Sequence, residues 1–515
     1  MNLEVIASIL EMLEITVSRA DTPAIRSLIP TTKFFTRNEG NFMKTVLAFD
    51  FGASSGRAIK AVFDGNAVKM EEIHRFDNVP LETDGHICHD VPMIMREIKY
   101  AIDKAGAIDS FAFDTWGVDY GLIDKDGKLV HMPYHYRDKR TDGVLDKAQK
   151  KMSLSELYSQ TGNQVMSINT LFQLMSDENL DKAEKLLFMP DLFCYLLTGN
   201  TAWERSIAST SQMMNPFENK WSEKVLEAFE IKKSLLGEIT PAPKVMGHYN
   251  SIPVISVAGH DTQCAVAAMP CENENAAFLS CGTWSLIGCE LDAPIMNEKS
   301  NSLELSNESG ANGKTNYLKN ISGLWLIQQI KRNLASEGKP FSYNDLEMMA
   351  RDSQPFKYFV DPDSPLLSSH GNLILKIKEY CEKTGQGAPG TVGETVRCVY
   401  ESLALKYRLA LEQIEECTGK KFEVLHLLGG GTKDGFLCEM TADSIGIPVI
   451  AGPVEATALG NIVLQLIALG QIKNIDEGRR LIKKCENLKH FSSNHTEQWD
   501  EAYEKYKKII SKEEM

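Results

Sequence analysis

Alternating apolar and polar positions run through VLAFDFGASSGRAIKAVFDGNAVKMEEIHRF (46–76), which predicts three strands separated by the small-residue turn DFGASSGR (50–57) and an Asp64-Gly65-Asn66 turn. Helical spacing follows near residues 91–105. Strand character returns in DSFAFDTWGVDYGLIDKDG (109–127), and residues 144–200 read as mainly helical, with amphipathic segments around Leu154 and Leu180. A further strand, IPVISVAGHD (252–261), leads into AAFLSCGTWSLIGCE (276–290), again strand, turn and strand. The chain thus starts over: the turns DFGASSGR and SCGTWSLI (280–287) share a small-residue tip between β runs, though the likeness is too slight to establish a duplication. Helices are expected around 318–335 and 391–417. Residues 424–470 give strand, Gly-rich turn, helix, short strand, turn and helix, and 471–515 read as solvated amphipathic helices. The pattern predicts an α/β protein with one lobe at 43–257 and a second at 258–515, joined without a low-complexity linker.

Length agrees with this division, because 515 residues exceed one ordinary core. With 55 basic and 70 acidic residues the net charge is −15, and no long basic block is present, which argues against a nucleic-acid partner or an anionic membrane. A phosphate ligand would have to be held by local groups. Eleven cysteines without a C-x-x-C pair or a zinc-like cluster suit a reducing, cytoplasmic setting. Cys381 and Cys398 flank a Gly/Pro loop, and the sequence leaves open whether they pair. Residues 1–42 also keep two readings: a native extra helix, or an extension before a natural start at Met43. Their apolar stretch VIASILEMLEITV is interrupted by glutamates and lacks the marks of a signal peptide. A monomer or small homo-oligomer with small-molecule substrates is expected.

Several turns carry chemistry. In DFGASSGR, an aspartate ending an apolar strand can stand behind a metal ion through water while backbone N–H groups meet phosphate oxygens; Asp50 is that candidate, and Arg57 adds a fixed positive charge. An ordinary Gly/Ser hairpin has the same composition. SCGTWSL offers Gly282 and the Thr283 hydroxyl to a terminal phosphate, or a buried turn. LGGGTKDG (428–435) lets a nucleotide lie against backbone at a helix start, but a dinucleotide fingerprint fails at Asp434 and no Walker A motif exists. ATALG (456–460) serves adenine packing or plain helix packing. In GHDT (259–262), Asp261 can accept a hydroxyl proton during attack on a γ-phosphate, or cap a helix. DTWGVDYG (114–121) and YHYRDKRTDG (134–143) combine aromatic, acidic and basic side chains suited to sugars, although Trp116 also reads as core and Lys139 and Arg140 as a solvated patch.

Taken in order, DFGASSGR, DTWGVDYG, YRDKRTDG, MPDLFCYLLTG, GHDT, LSCGTWSL, LKNISGLWLIQ, LGGG and GPVEATALGN resemble the FGGY carbohydrate kinases from about residue 44 to 470, most closely the branch acting on L-rhamnulose. The resemblance implies an actin-like fold of two ribonuclease-H-like lobes with an ATP cleft between them, and Mg²⁺-dependent phosphorylation of L-rhamnulose at O1. It implies ATP contacts at Ala53, Ser54, Ser55, Gly56, Arg57, Thr283, Gln328 and Gly430. Sugar contacts fall on Gly117, His260, Asp261, Thr262 and Asn320, with Asp261 as proton acceptor. Two departures stand out: His89-Asp90 where a tryptophan precedes the aspartate, and Gly259 where serine is the pattern. A kinase for another ketose such as L-fuculose or D-xylulose would keep every ATP motif, whereas a non-catalytic sugar sensor would be expected to lose the base.

Overall fold

The computed structural model describes residues 43–52, 55–368 and 371–511. The expectations placed on residues 1–42, on Ala53 and Ser54, and on the last four residues lie outside that set. A first sheet contains β1 (Lys44–Phe51), β2 (Ser55–Phe63), β3 (Val68–Asp77), β4 (Ser110–Thr115), β5 (Lys244–Tyr249) and β6 (Ile252–His260), in the order β5-β6-β4-β1-β2-β3. Burial explains their composition. The central β1 is enclosed on both faces from Val46 onward and reads as an apolar run, β2 alternates, and the edge strand β3 is mostly open to solvent. The helix α1 (Val91–Ala105) covers this sheet. Its start is set by Asp90, whose carboxylate accepts from Met93 N at 2.9 Å, and by a proline in the first turn.

A second sheet comprises β7 (Ala276–Cys281), β8 (Trp284–Leu291), β9 (Ser306–Ser309), β10 (Thr315–Ser322), β11 (Val424–Leu428), β12 (Val449–Ala451) and β13 (Lys489–Phe491), ordered β9-β10-β8-β7-β11-β12-β13. Both sheets contain the same module. Two antiparallel pairings, β3-β2-β1 or β10-β8-β7, are extended by two strands parallel to the innermost one, β4 and β6 or β11 and β12. The restart visible in the sequence therefore corresponds to a repeated topology, the ribonuclease-H-like arrangement.

Within the first half, α2 (Met189–Thr198) and the short α3 (Arg205–Ala208) precede β5, and α4 (Asp261–Ala267) begins directly where β6 ends. The second half adds α5 (Trp325–Ser336), the 27-residue α6 (Val392–Thr418), α7 (Gly435–Ile445) and α8 (Ala456–Ala468). A reciprocal Thr391–Glu394 capping box starts α6, and Gly419 ends it with φ +68°. Helix α8 reaches both modules: Leu459, Ile462, Val463 and Leu466 share an apolar cluster with Val46 and Ala48 of β1 and with Phe278 of β7.

Two expectations change. Residues 318–322 belong to β10 rather than to a helix, because pairing along β8 outweighs the weak local preference of Lys-Asn-Ile-Ser; the helix starts only at Trp325. The segment Glu497–Ile510 is helical but only half solvated. Trp499, Tyr503 and Tyr506, spaced i, i+4 and i+7, are buried in the core of the second half. Among the described residues no helix is long and apolar enough to cross a membrane. All eleven cysteines are free, with Cys381 and Cys398 both buried.

Candidate active site

Strands β1, β4 and β6 run parallel and bring their carboxyl ends to one place, where ligands of open α/β sheets bind. Asp50 ends β1 beside Asp114, its register partner on β4, while His260 ends β6 and Asp261 opens α4. Facing them are Thr283, in the β7–β8 turn, and Gly429 and Gly430, which follow β11. All of these except the buried Asp114 line a cavity of about 270 Å³. Among the residues singled out from sequence, Asp50, Arg57, Gly117, His260, Asp261, Thr262, Thr283, Asn320 and Gly430 line it.

Ser55, Gly56 and Gln328 do not line it. The absence of a side chain at Gly56 is explained by packing, since a Cβ there would lie 2.2 Å from Cζ of Phe76. Gln328 sits in the first turn of α5, its N–H bonded to Leu324 O at 3.0 Å.

The charges at the strand ends are tightly linked. Arg57 pairs with both Asp50 and Glu455. Burial raises the Asp50 carboxyl above its ordinary range, with Arg57 opposing the shift. Asp114 lies well above that range because it is buried and adjacent to Asp50. One of its oxygens accepts from Asn461 Nδ2 at 2.7 Å, while Oδ1 is sealed from solvent and unpartnered. Asp261 is also raised by burial, with His260 lowering it and Asp50 adding to the rise. Its side chain nevertheless remains 32% exposed. Both hydrogen bonds it receives, from Thr262 N at 2.6 Å and Thr262 Oγ1 at 3.4 Å, end on Oδ1. Asp261 Oδ2 receives none among the described residues.

A buried clamp fixes the backbone just before this base. Glu204, at the start of α3, accepts from Ser206 N at 2.9 Å, Ser206 Oγ at 2.6 Å, Ile207 N at 3.1 Å and, from the end of β6, Gly259 N at 2.9 Å. Ser206 Oγ in turn accepts from His260 N at 3.3 Å. At Gly259, where the family pattern has serine, a Cβ would stand 2.8 Å from Cγ of Pro190; in this chain the proline ring occupies that space. The His260 imidazole meets Glu308 through Nδ1 at 3.0 Å and Asp261 Oδ1 through Nε2 at 3.4 Å. Burial opposes its protonation, yet Glu308, Asp261 and Glu204 together hold its pKa above the ordinary histidine value.

Trp116, Gly117, Val118 and Tyr136 also line the cavity, with Gly117 close to His260: a Cβ there would lie 3.5 Å from His260 Nε2. Their shape depends on Asp119, which is fully buried and accepts from Trp116 Nε1 at 2.9 Å, Tyr136 N at 3.2 Å and Gln173 Nε2 at 2.9 Å, and meets His89 Nε2 at 2.7 Å. His89, the second departure, packs between Trp116 and His135 at centroid distances of 4.6 and 4.7 Å, so an aromatic ring is retained behind the cavity wall. Val118 adopts φ +66°, unfavourable for a β-branched residue. Its peptide groups are held by Thr210 Oγ1, which accepts from its N–H at 3.2 Å, and by Thr170 Oγ1, which donates to its carbonyl at 2.7 Å. Asn320 Nδ2 donates to Gln164 Oε1 at 3.2 Å across the same wall. Arg140, read as either sugar-binding or solvated, lies 4.3 Å over the Tyr134 ring and donates to Gln173 at 2.7 Å, behind the cavity rather than in it.

Asp114, Glu204 and Glu308 escaped the sequence reading. Asp114 opens the DTWGVDYG motif, whose tryptophan and glycines are its more conspicuous residues. Glu204 has no motif around it and Glu308 precedes only an ordinary turn at residues 310–313, and the fold alone brings them to residues 259–263.

The donor set fits a magnesium ion. Asp50 and Asp261 both line the cavity, and Asp50 adds to the rise of the Asp261 carboxyl; a divalent cation beside them would offset that like-charge repulsion. Among the described residues no three His, Cys, Asp or Glu side chains are grouped to hold a metal by themselves. That suits an ion bound through one or two carboxylates, with water and substrate phosphates completing its shell.

Two ribonuclease-H-like modules around a central polar cavity define the actin-like class of enzymes. Within it, the chain belongs to the FGGY family of carbohydrate kinases: the model of that family's N-terminal domain matches residues 45–278 and that of its C-terminal domain residues 277–469. A rhamnulokinase from Bacteroides thetaiotaomicron is 39% identical over 482 residues, covering 90% of this chain and 99% of that protein. A rhamnulokinase from Oceanobacillus iheyensis is 38% identical, covering 86% and 97%. The crystal structure of gluconate kinase from Lactobacillus acidophilus superposes with a TM-score of 0.72 at 16% identity, over 92% of this chain and 97% of that one, a likeness of fold. The protein is a sugar kinase.

Proposed function

We propose that this kinase transfers the γ-phosphoryl group of ATP to O1 of L-rhamnulose, giving L-rhamnulose 1-phosphate and ADP, with Asp261 as general base. The observation that carries the base is its position: Asp261 opens a helix at the end of β6 and lines the cavity, with Oδ1 engaged by Thr262 and Oδ2 receiving no hydrogen bond among the described residues. Relatives 39% and 38% identical that bear the name rhamnulokinase support the sugar.

In this reading Gly117, His260, Thr262 and Asn320 hold the ketose so that O1 lies within hydrogen-bonding reach of Asp261. Arg57, the Thr283 hydroxyl and backbone amides near Gly430 receive the phosphates, with Ala53 to Gly56 and Gln328 as further nucleotide contacts. Mg²⁺, held on the Asp50 side through water, neutralises charge on the phosphates when bound. Asp261 takes the O1 proton late in transfer, and burial of the site favours the hydroxyl of the sugar over water as acceptor. The sugar and phosphate lobe is residues 43–257, and 258–515 supplies the base and nucleotide contacts. A cytoplasmic location suits eleven unpaired thiols.

A coupled ADP-release assay across L-rhamnulose, L-fuculose, D-xylulose, L-ribulose and glycerol tests the substrate. The highest kcat/KM is expected for L-rhamnulose; a clear preference for another sugar rejects the substrate and keeps the chemistry. The raised pKa of Asp261 sets a second expectation. Only its ionised form accepts a proton, so kcat/KM should fall with decreasing pH through an acid limb above the ordinary aspartate value of 3.8. A pH profile that stays flat down to that value in folded enzyme contradicts this account of the base.

A further inference from the structure

The cavity wall behind His260 holds a carboxylate to which the mechanism above gives no task. Glu308, on the short strand β9, is 4% exposed and lines the cavity. Its two contacts converge on one oxygen: Gln263 Nε2 donates to Oε2 at 2.6 Å, and His260 Nδ1 meets the same Oε2 at 3.0 Å. Gln263 is itself fixed, because its Oε1 accepts from Asn316 Nδ2. The carboxylate is therefore locked in orientation while Oε1 receives no hydrogen bond among the described residues.

A buried carboxylate that served only to orient His260 would be expected to have both oxygens satisfied, since an unpaired charged oxygen away from bulk water costs stability. A cavity-lining carboxylate oxygen with no protein donor among the described residues is open to a ligand hydroxyl, which donates strongly to a carboxylate. We propose that Glu308 is a further sugar-binding residue, its Oε1 accepting a hydrogen bond from a secondary hydroxyl of the ketose. The inference rests on the reading that places the sugar beside His260 and Asp261. It adds a selection rule: a ketose lacking the matching hydroxyl leaves the fixed carboxylate unpaired and is rejected, whereas a change at the carbon chain's apolar end leaves this contact intact.

The test is steady-state kinetics of Glu308→Gln with L-rhamnulose and with analogues lacking the hydroxyl at C3, C4 or C5. The variant should raise the KM for L-rhamnulose about 10- to 100-fold while the KM for ATP changes less than about twofold. One analogue should lose a similar factor on the unaltered enzyme and little more on the variant. Should thermal melting show that Glu308→Gln is unfolded, Glu308→Asp keeps the charge, draws the oxygen back by one methylene, and is read by the same criteria. An unchanged ketose KM with a fall in kcat alone overturns the proposal, as does an equal loss for all three analogues on both enzymes. Either result is separable from failure of the functional reading itself, which would appear as full turnover in Asp261→Asn.

Discussion

Asp261→Asn is expected to lower kcat by a factor of about 10² to 10⁴ while ATP still binds. The exchange is nearly isosteric, so Thr262 N can still donate to the amide oxygen as it does to Oδ1 at 2.6 Å, and the first turn of α4 should hold. What disappears is the acceptor for the O1 proton. The amide also contributes no charge toward His260, which lies 3.4 Å from Asp261 Oδ1. Because the proposed phosphate contacts belong to other elements, namely Arg57 on β2, Thr283 in the β7–β8 turn and Gly430 after β11, nucleotide affinity should change by less than about threefold, a difference of roughly 0.6 kcal/mol. Single-turnover phosphorylation paired with an ATP-binding titration separates these effects. Near-normal turnover in the folded variant removes Asp261 from its assigned role, and joint loss of ATP binding would make it a residue of the nucleotide site instead.

What the sequence alone reveals of this protein depends on whether a feature is local. The three strands before residue 77 and the helix from Val91 were legible because alternation, turn residues and a proline-containing helix start are properties of neighbouring residues. GHDT was legible as a strand-to-helix junction, but the two roles open to Asp261 could be weighed only once its free oxygen and cavity position were known. The family resemblance gathered residues scattered from Asp50 to Gly430, and the cavity brings most of them together. The opposite case is β10. Its last residues, 319–322, have a weak local preference for a strand and form one because β8 lies alongside. Glu204 and Glu308 were hidden for a related reason. Their partners at 259, 260 and 263 lie 45 to 55 positions away, a separation that no local pattern encodes. The Trp499, Tyr503 and Tyr506 stripe, by contrast, was present in the sequence at helical spacing and was masked by surrounding lysines and glutamates.

The other large effect is expected at Gly460→Ala, a residue that does not itself line the cavity. Helix α8 crosses α4 at this glycine so closely that a Cβ would lie 1.8 Å from Cys264 O and 2.5 Å from Cys264 C. Both atoms are backbone, so no side-chain rotation relieves the overlap, and the helices must separate. Separation is costly because α8 is tied down on its other side. Asn461 donates to Asp114, Gln465 Nε2 donates to Leu47 O at 3.1 Å, and Gln465 Oε1 accepts from Ser110 Oγ at 2.7 Å, all within buried surroundings. A loss of about 4 kcal/mol or more is therefore expected, seen as a lowered thermal midpoint or loss of soluble protein. Cys264 lies one turn beyond Asp261 on α4, so any displacement that accommodates the methyl group also moves the base. Where protein survives, kcat should fall further than the ketose KM rises. Denaturation midpoints and kcat measured together decide the matter: a variant with unaltered stability and turnover would mean that α4 and α8 have room to part, and the close crossing would then have no bearing on where Asp261 sits.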